Sequence, residues 1–133
     1  MKKVLLIEDD VWLQELYGSV LQKVVGIKVF YATSASSALG VLDKQKIDLV
    51  ILDMFLGDHN GVEFLHEIAS YQDTRKVPVV VLSAVHKHDF GVQADRWRHY
   101  NVVEYLYKPI TKPQQLVVSV SKQLLLETAR ATG

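Results

Sequence analysis

The chain has 133 residues, enough for one domain with a real core. It is 49% hydrophobic and 23% charged, the balance of an ordinary globular protein rather than a disordered or fibrous one. Fifteen Lys and Arg offset fifteen Asp and Glu, which gives no support for bulk binding to nucleic acid or an anionic membrane, and the lack of cysteine excludes disulfides, thiol catalysis and cysteine-ligated zinc.

Met1-Lys2-Lys3 runs into the apolar stretch Val4 to Ile7, which reads as a buried strand. That stretch is too short for a signal-peptide core or a membrane span, so a cytoplasmic location is the default. Asp10 can cap the next helix, which carries Leu13, Leu16, Tyr17, Val20, Leu21 and Val24 and ends by Gly26. Lys28 to Ala32 is a second strand, and Ser34 or Ser36 caps a short helix with Ala35, Ala38, Leu39 and Leu42. Asp48 to Leu52 is the most apolar strand and so the central one.

Gly57 to Gly61 reads as a polar loop. Asn60 with Glu63 has capping-box spacing for a helix through Val62, Leu65, Ile68 and Ala69. Pro78 opens the fourth strand, where a missing N–H is tolerated. His86 to Tyr100 is a weaker helix with Gly91 inside it, and Asn101 supplies its left-handed cap. Val102 to Tyr107 is the fifth strand. Thr111 caps a last helix, with Pro113 in its first turn, running to about Thr128; 129–133 read as a frayed tail, so the domain is residues 1–128.

Five strands alternating with five helices predict an α/β fold, a doubly wound parallel sheet covered on both faces. Ligands of such sheets bind at the strand carboxyl ends. There this chain places Glu8-Asp9-Asp10, Asp53, Ser83-Ala84 and Lys108-Pro109. Clustered carboxylates with one lysine suit a small hard cation such as Mg²⁺ together with a phosphoryl group. Singly, each motif has an ordinary explanation: a helix cap, or an acidic run favoured by the helix dipole.

Together, in this order, they resemble the receiver domain of two-component response regulators, the type that also forms the single-domain chemotaxis regulator. The resemblance covers nearly all of residues 3–127. Asp53 follows Asp9 by 44 residues, Ser83 follows Asp53 by 30, and Gly61 follows Asp53 by eight. Ala84 follows the hydroxyl residue, and Tyr105 precedes Lys108-Pro109 by three. The resemblance implies a flavodoxin-like topology with strand order 2-1-3-4-5.

It also implies roles. Asp53 is the expected phosphoacceptor, fed by a histidine kinase or a histidine phosphotransfer protein. Asp9 is an expected direct Mg²⁺ ligand, Glu8 a holder of the metal's waters, and Asp53 and the Phe55 carbonyl further ligands. Lys108 and Ser83 contact the phosphoryl oxygens. Ser83 and Tyr105 form the switch, which alters partner binding through the fourth helix, fifth strand and fifth helix. The Lys108-Pro109 bond is expected to be cis. Such a domain catalyses only its own phosphotransfer and dephosphorylation, and so is a switch rather than a metabolic enzyme. It signals to a downstream protein partner or to an effector domain that these residues lack.

The chain departs from the family pattern in places. Gly57 stands where a proline is common, Phe55 where many members are polar, and Ser83 where threonine is usual. The span from Ser83 to Lys108 is 25 residues, slightly long, with Asn101-Val102 in place of a small Gly-Ala pair. Phe55 spares the carbonyl ligand but alters access for a hydrolytic water.

Other features carry weaker signals. His59, His66, His86, His88 and His99 lack the spacing of a helical metal pair and read as solvated surface. Lys87, Arg96 and Arg98 give the fourth helix a basic tint that fits partner docking or plain solvation better than nucleic acid. Phe90, Ala94 and Trp97 make a core stripe, or Trp97 anchors an interface. The last helix is apolar over a wide arc. It is either well buried or presents Val118 and Leu125 as a homodimer contact or the start of a coiled extension.

Two rivals remain. A Mg²⁺-dependent phosphatase with a strand-end Asp nucleophile needs a second Asp two residues on, where Phe55 stands. A receiver-like docking module that takes no phosphate is opposed by the complete acceptor set. A nucleotide-binding protein of this topology would need a phosphate-cradling Gly-rich loop, which is missing.

Overall fold

The structure, a computed structural model, describes residues 1–56, 59–90 and 94–132; at 59, 60, 90, 94 and 126–132 it describes the backbone alone. The elements in chain order are β1 (Lys2–Ile7), α1 (Val11–Gln22), β2 (Ile27–Ala32), α2 (Ala35–Lys44) and β3 (Leu49–Leu52). A small hairpin follows, β4 (Phe55–Leu56) with β5 (His59–Asn60), then α3 (Gly61–Ser70) and β6 (Val79–Ser83). A 3₁₀ turn (Lys87–Phe90), α4 (Ala94–His99), β7 (Val102–Tyr107), a second 3₁₀ turn (Lys108–Ile110) and α5 (Pro113–Thr132) complete the chain.

The main sheet has five parallel strands in the order β2-β1-β3-β6-β7. With the β4–β5 hairpin set aside, this is the expected 2-1-3-4-5. Side chains alternate across the sheet, so two cores form. Leu5, Ile7, Val50, Leu52, Val79 and Val81 pack against Ala38 of α2, Phe64 and Leu65 of α3 and Trp97 of α4. Val4, Leu6, Leu49, Ile51, Val80 and Leu82 pack against Tyr17 and Leu21 of α1 and Leu116 and Val120 of α5. A fully buried side chain of this size contributes roughly 1.5–3 kcal/mol. Truncating Leu65 to Ala should therefore cost on the order of 3 kcal/mol, cavity included.

Residues with special backbone needs sit where the chain turns. The Asp10 side chain accepts from Leu13 N at 3.1 Å and caps α1. Ser34 and Ser37 cap each other's backbone at the start of α2. Gly26 has φ +88°, a left-handed conformation that glycine adopts without penalty, and leads into β2. Asn101, at φ 58°, is the left-handed residue between α4 and β7, and its amide donates to Lys76 O at 2.7 Å. The β6–β7 register slips between Val79 and Val80. Val103 accordingly packs in the α5-side core, and Glu104 accepts from the Ser119 hydroxyl of α5.

Several expectations need correction. His86–Tyr100 is not one helix: Asp89 N–H bonds His86 O in a 3₁₀ turn, and α4 proper begins at Ala94. Phe90 and Ala94 of the expected stripe lie outside the described side chains, whereas Trp97 is in the core. The polar loop includes a two-stranded hairpin, while the Asn60 cap falls outside the described side chains. Thr111 does not cap α5, because its hydroxyl donates to Tyr107 O at 2.8 Å. Lys112 starts the helix instead, its carbonyl accepting from Gln115 and Leu116. The helix continues to Thr132, past the expected end at Thr128.

No peptide bond among the described residues is cis, so the Lys108-Pro109 bond is trans. Pro109 fits the opening of the 3₁₀ turn, where its fixed φ and missing N–H cost nothing, and Thr111 N closes onto Lys108 O at 3.2 Å. The α5 helix is only partly buried: Leu116 and Val120 are inside, while Val118 and Leu125 are exposed. Among the described residues no helix is long and apolar enough to cross a membrane.

Candidate functional site

The parallel register builds the site. Ile7 pairs with Leu52, so Glu8 and Asp53 leave their strands at one level, and Asp53 N donates to Ile7 O at 3.0 Å. Ser83 pairs with Tyr107, which puts Lys108 beside them at the next position. Four strand ends far apart in sequence thus meet at one sheet edge, as the topology requires.

The Lys108 ammonium lies 2.6 Å from Glu8 Oε1 and 3.1 Å from Asp53 Oδ2. Asp53 Oδ1 accepts from Phe55 N at 3.1 Å, so both Asp53 oxygens are engaged and the carboxylate is oriented. Glu8 Oε2 accepts from Asp10 N at 3.3 Å. Glu8, Asp53 and Ser83 are buried, while Asp9 stands at the surface. The Ser83 hydroxyl accepts from Val85 N at 3.2 Å, which shapes the loop after β6.

Electrostatics follow from this packing. Burial, and then the adjacent Asp53 carboxylate, push the Glu8 carboxyl up to about 7, against the pull of Lys108. Burial acts to lower Lys108, but its bond to Glu8 and the charge of Asp53 outweigh that and hold the ammonium above its ordinary range. The site therefore carries more negative charge than one lysine neutralises.

Glu8, Asp9 and Asp53 each offer a carboxylate oxygen within 4.8 Å of the others. Among the described residues no other group of three or more potential ligands comes together, and the histidines join none. An all-oxygen donor set with excess negative charge fits a hard divalent cation such as Mg²⁺. The expected site residues Glu8, Asp9, Asp53, Phe55, Ser83 and Lys108 all belong to, or directly border, this one edge.

Tyr105 pairs with Val81, two residues before Ser83 on the neighbouring strand. Its hydroxyl donates to Val85 O, and its ring meets Trp97 edge-on with centroids 5.5 Å apart. Burial raises its phenol above the usual range. Two neighbours escape sequence reasoning. His86 stacks on Tyr107, with centroids 3.9 Å apart at 22°, so the loop after β6 is held by two tyrosines of β7. Gln14 of α1 bonds the carbonyls of Glu8 and Ala32. Neither contact has a spacing signal: His86 and Tyr107 are set together only by the β6–β7 crossover, and Gln14 bonds backbone carbonyls.

Among the described residues, Val11 and Trp12 at the start of α1, Phe55 and Ile110 are exposed apolar side chains close in sequence to the site residues.

Solved receiver domains share the architecture. A CheY-like receiver domain protein from Methanospirillum hungatei JF-1 superposes with TM-score 0.84 at 18% identity, covering 98% of each chain. The signal receiver domain of a putative Luxo repressor protein from Vibrio parahaemolyticus gives TM-score 0.84 at 25% identity, covering 98% of this chain and 95% of that one. The transcriptional regulatory protein MalR of Bacillus subtilis (strain 168) is 36% identical over 110 residues, 82% of this chain and 45% of that protein. The phosphate regulon transcriptional regulatory protein PhoB of Escherichia coli (strain K12) is 29% identical over 121 residues, 90% of this chain and 50% of that protein. The chain thus spans half or less of the length of these two relatives. The family model for the response regulator receiver domain matches residues 4–121. A matching fold, a matching family model and an assembled acidic edge agree: this chain belongs to the response regulator receiver domain family.

Proposed function

We propose that Asp53 accepts a phosphoryl group from a phosphohistidine of a histidine kinase or phosphotransfer protein, and that the modified domain signals by changing its partner affinity. The observation that carries this reading is the bridging of Glu8 and Asp53 by Lys108, with Asp9 alongside. In the transfer, an Asp53 oxygen forms the new bond to phosphorus as the histidine N–P bond breaks. The ring nitrogen keeps that electron pair and takes a proton. Lys108 neutralises charge on the phosphoryl oxygens, and the Ser83 hydroxyl donates to one of them. Glu8, Asp9, Asp53 and the Phe55 carbonyl would hold Mg²⁺, which when bound screens the approaching negative charges.

Phosphorylation adds up to about two negative charges at this edge. Ser83 then turns to the phosphate, and Tyr105 gives up the Val85 carbonyl and moves inward. The face made by α4, β7 and α5 changes shape, which a separate protein or an attached effector domain reads. The names of MalR and PhoB support a regulatory output, and the exposed Val118 and Leu125 offer a contact for a second copy. The chain acts on no substrate beyond its own phosphate, works in the cytoplasm, and binds neither membrane nor nucleic acid through this domain. A phosphatase of the Asp-nucleophile type lacks its second acid, because Phe55 stands there.

The test is mass spectrometry after incubation with acetyl phosphate and Mg²⁺. One phosphoryl group should appear on the wild type and none on Asp53→Ala. Undiminished labelling of Asp53→Ala would overturn the assignment.

A further inference from the structure

Gln14 sits on α1 four residues past the capping Asp10 and is half-buried. Its amide nitrogen lies 3.2 Å from Glu8 O and 3.2 Å from Ala32 O. Both partners are acceptors, so the nitrogen, not the oxygen, must face them. The Glu8 carbonyl stands just past the end of β1, where a backbone acceptor needs another donor, and Gln14 supplies it. Glu8 N in turn donates to Ala32 O at 3.0 Å. The Glu8 peptide groups are therefore held on both sides, by Ala32 and by Gln14.

We propose that Gln14 is a positioning residue for the acidic edge: its amide fixes the chain at Glu8 and so sets where the Glu8 and Asp9 carboxylates stand. The Glu8 carbonyl belongs to the peptide that leads into Asp9. Without its donor that peptide can rotate, and rotation carries the Asp9 side chain away from Asp53. Asp10 fixes the other end of the run, capping α1 and donating its own N–H to Glu8. Gln14 thus completes a tether at each end of a three-residue acidic segment. It touches no reacting atom and acts only through Glu8 and Asp9. This inference rests on the Mg²⁺ reading above.

The experiment is a calorimetric Mg²⁺ titration of wild type, Gln14→Met, Gln14→Leu and Val120→Ala, with thermal unfolding of each in metal-free buffer. Val120, fully buried on the core face of α5, contacts none of the acidic run and reports what general destabilisation does. Both Gln14 variants should bind Mg²⁺ roughly tenfold more weakly, the loss typical of outer-shell partners. Val120→Ala should unfold at lower temperature yet keep wild-type affinity. Gln14 variants that bind as tightly as wild type would overturn the positioning role, as would an equal loss in Val120→Ala. Wild type that takes up no Mg²⁺ would remove the metal reading and this inference together, whereas wild-type binding with unchanged variants removes this inference alone.

Discussion

Lys108 is held closer to Glu8, at 2.6 Å, than to the proposed acceptor Asp53, at 3.1 Å. Both acids are almost wholly removed from water, and one ammonium serves both. Removing that ammonium leaves the buried Asp53 carboxylate without its cation and drives the Glu8 carboxyl further toward its protonated form. Lys108→Met should lower stability by on the order of 3 kcal/mol in metal-free buffer at neutral pH. Mg²⁺ should restore part of the loss by replacing the missing positive charge. Denaturant unfolding with and without Mg²⁺ checks this, and a variant as stable as wild type without metal would refute it.

Stability should also depend on pH through Glu8. Its carboxyl is raised from 4.5 to about 7 by burial and by Asp53, so the folded state holds the proton more tightly than the unfolded chain. Stability from this group is therefore complete below about pH 4.5, falls as pH rises through the window to about 7, and is then level. Glu8→Gln removes the ionisation. Its stability relative to wild type should rise across that window and stay flat outside it, in metal-free buffer. Unfolding free energies of both proteins from pH 4 to 8 give the answer; parallel curves would show that Glu8 ionises normally.

Tyr105 and Tyr107 hold the loop after β6 by different means, a hydroxyl on the Val85 carbonyl and a ring against His86. Tyr105→Phe keeps the ring but loses the hydroxyl, with its bond to Val85, and should cost ~1 kcal/mol. It should also loosen Val85 and His86, seen as faster amide exchange there and not in β1 or β3. Uniformly faster exchange across the sheet would mean that Tyr105 serves the core and not the loop.

The alternation of apolar runs fixes β1, β3 and β6, which are buried on both faces and have no competing period. The gathering of Glu8, Asp9, Asp53, Ser83 and Lys108 at one edge was equally legible, because each sits at a strand end that the topology aligns. What escaped was set by local competition. Thr111 has the composition of a cap, but the Tyr107 carbonyl claims its hydroxyl. Pro109 finds a 3₁₀ turn that takes it trans. The stretch from His86 combines Gly91 with a scattered apolar pattern, so a helix period there carried little information. Gln14 was invisible for a different reason: its partners, Glu8 O and Ala32 O, are backbone atoms, which no side-chain pattern records.

The lifetime of a phosphorylated Asp53 should depend on Phe55. The attacking water must approach in line with the bond to be broken, from the side opposite the Asp53 oxygen. Phe55 and Val85, two beyond Asp53 and two beyond Ser83, are proposed to border that approach. Neither side chain can orient a water by hydrogen bonding. The Phe55 ring is about half exposed, at 47%, while its backbone N–H grips Asp53 Oδ1, so the ring is anchored beside the acceptor yet reaches the surface. An apolar ring in that place excludes water instead of directing it. Phe55→Asn should accordingly lose phosphate severalfold faster. Its Mg²⁺ affinity should change little, because only the backbone carbonyl of residue 55 is proposed to meet the metal. Both proteins can be phosphorylated with acetyl phosphate, freed of donor, and followed by mass spectrometry at equal Mg²⁺. Equal decay rates would place the ring clear of the water's path. Faster decay accompanied by a large change in Mg²⁺ affinity would assign the effect to the metal ligands and not to access.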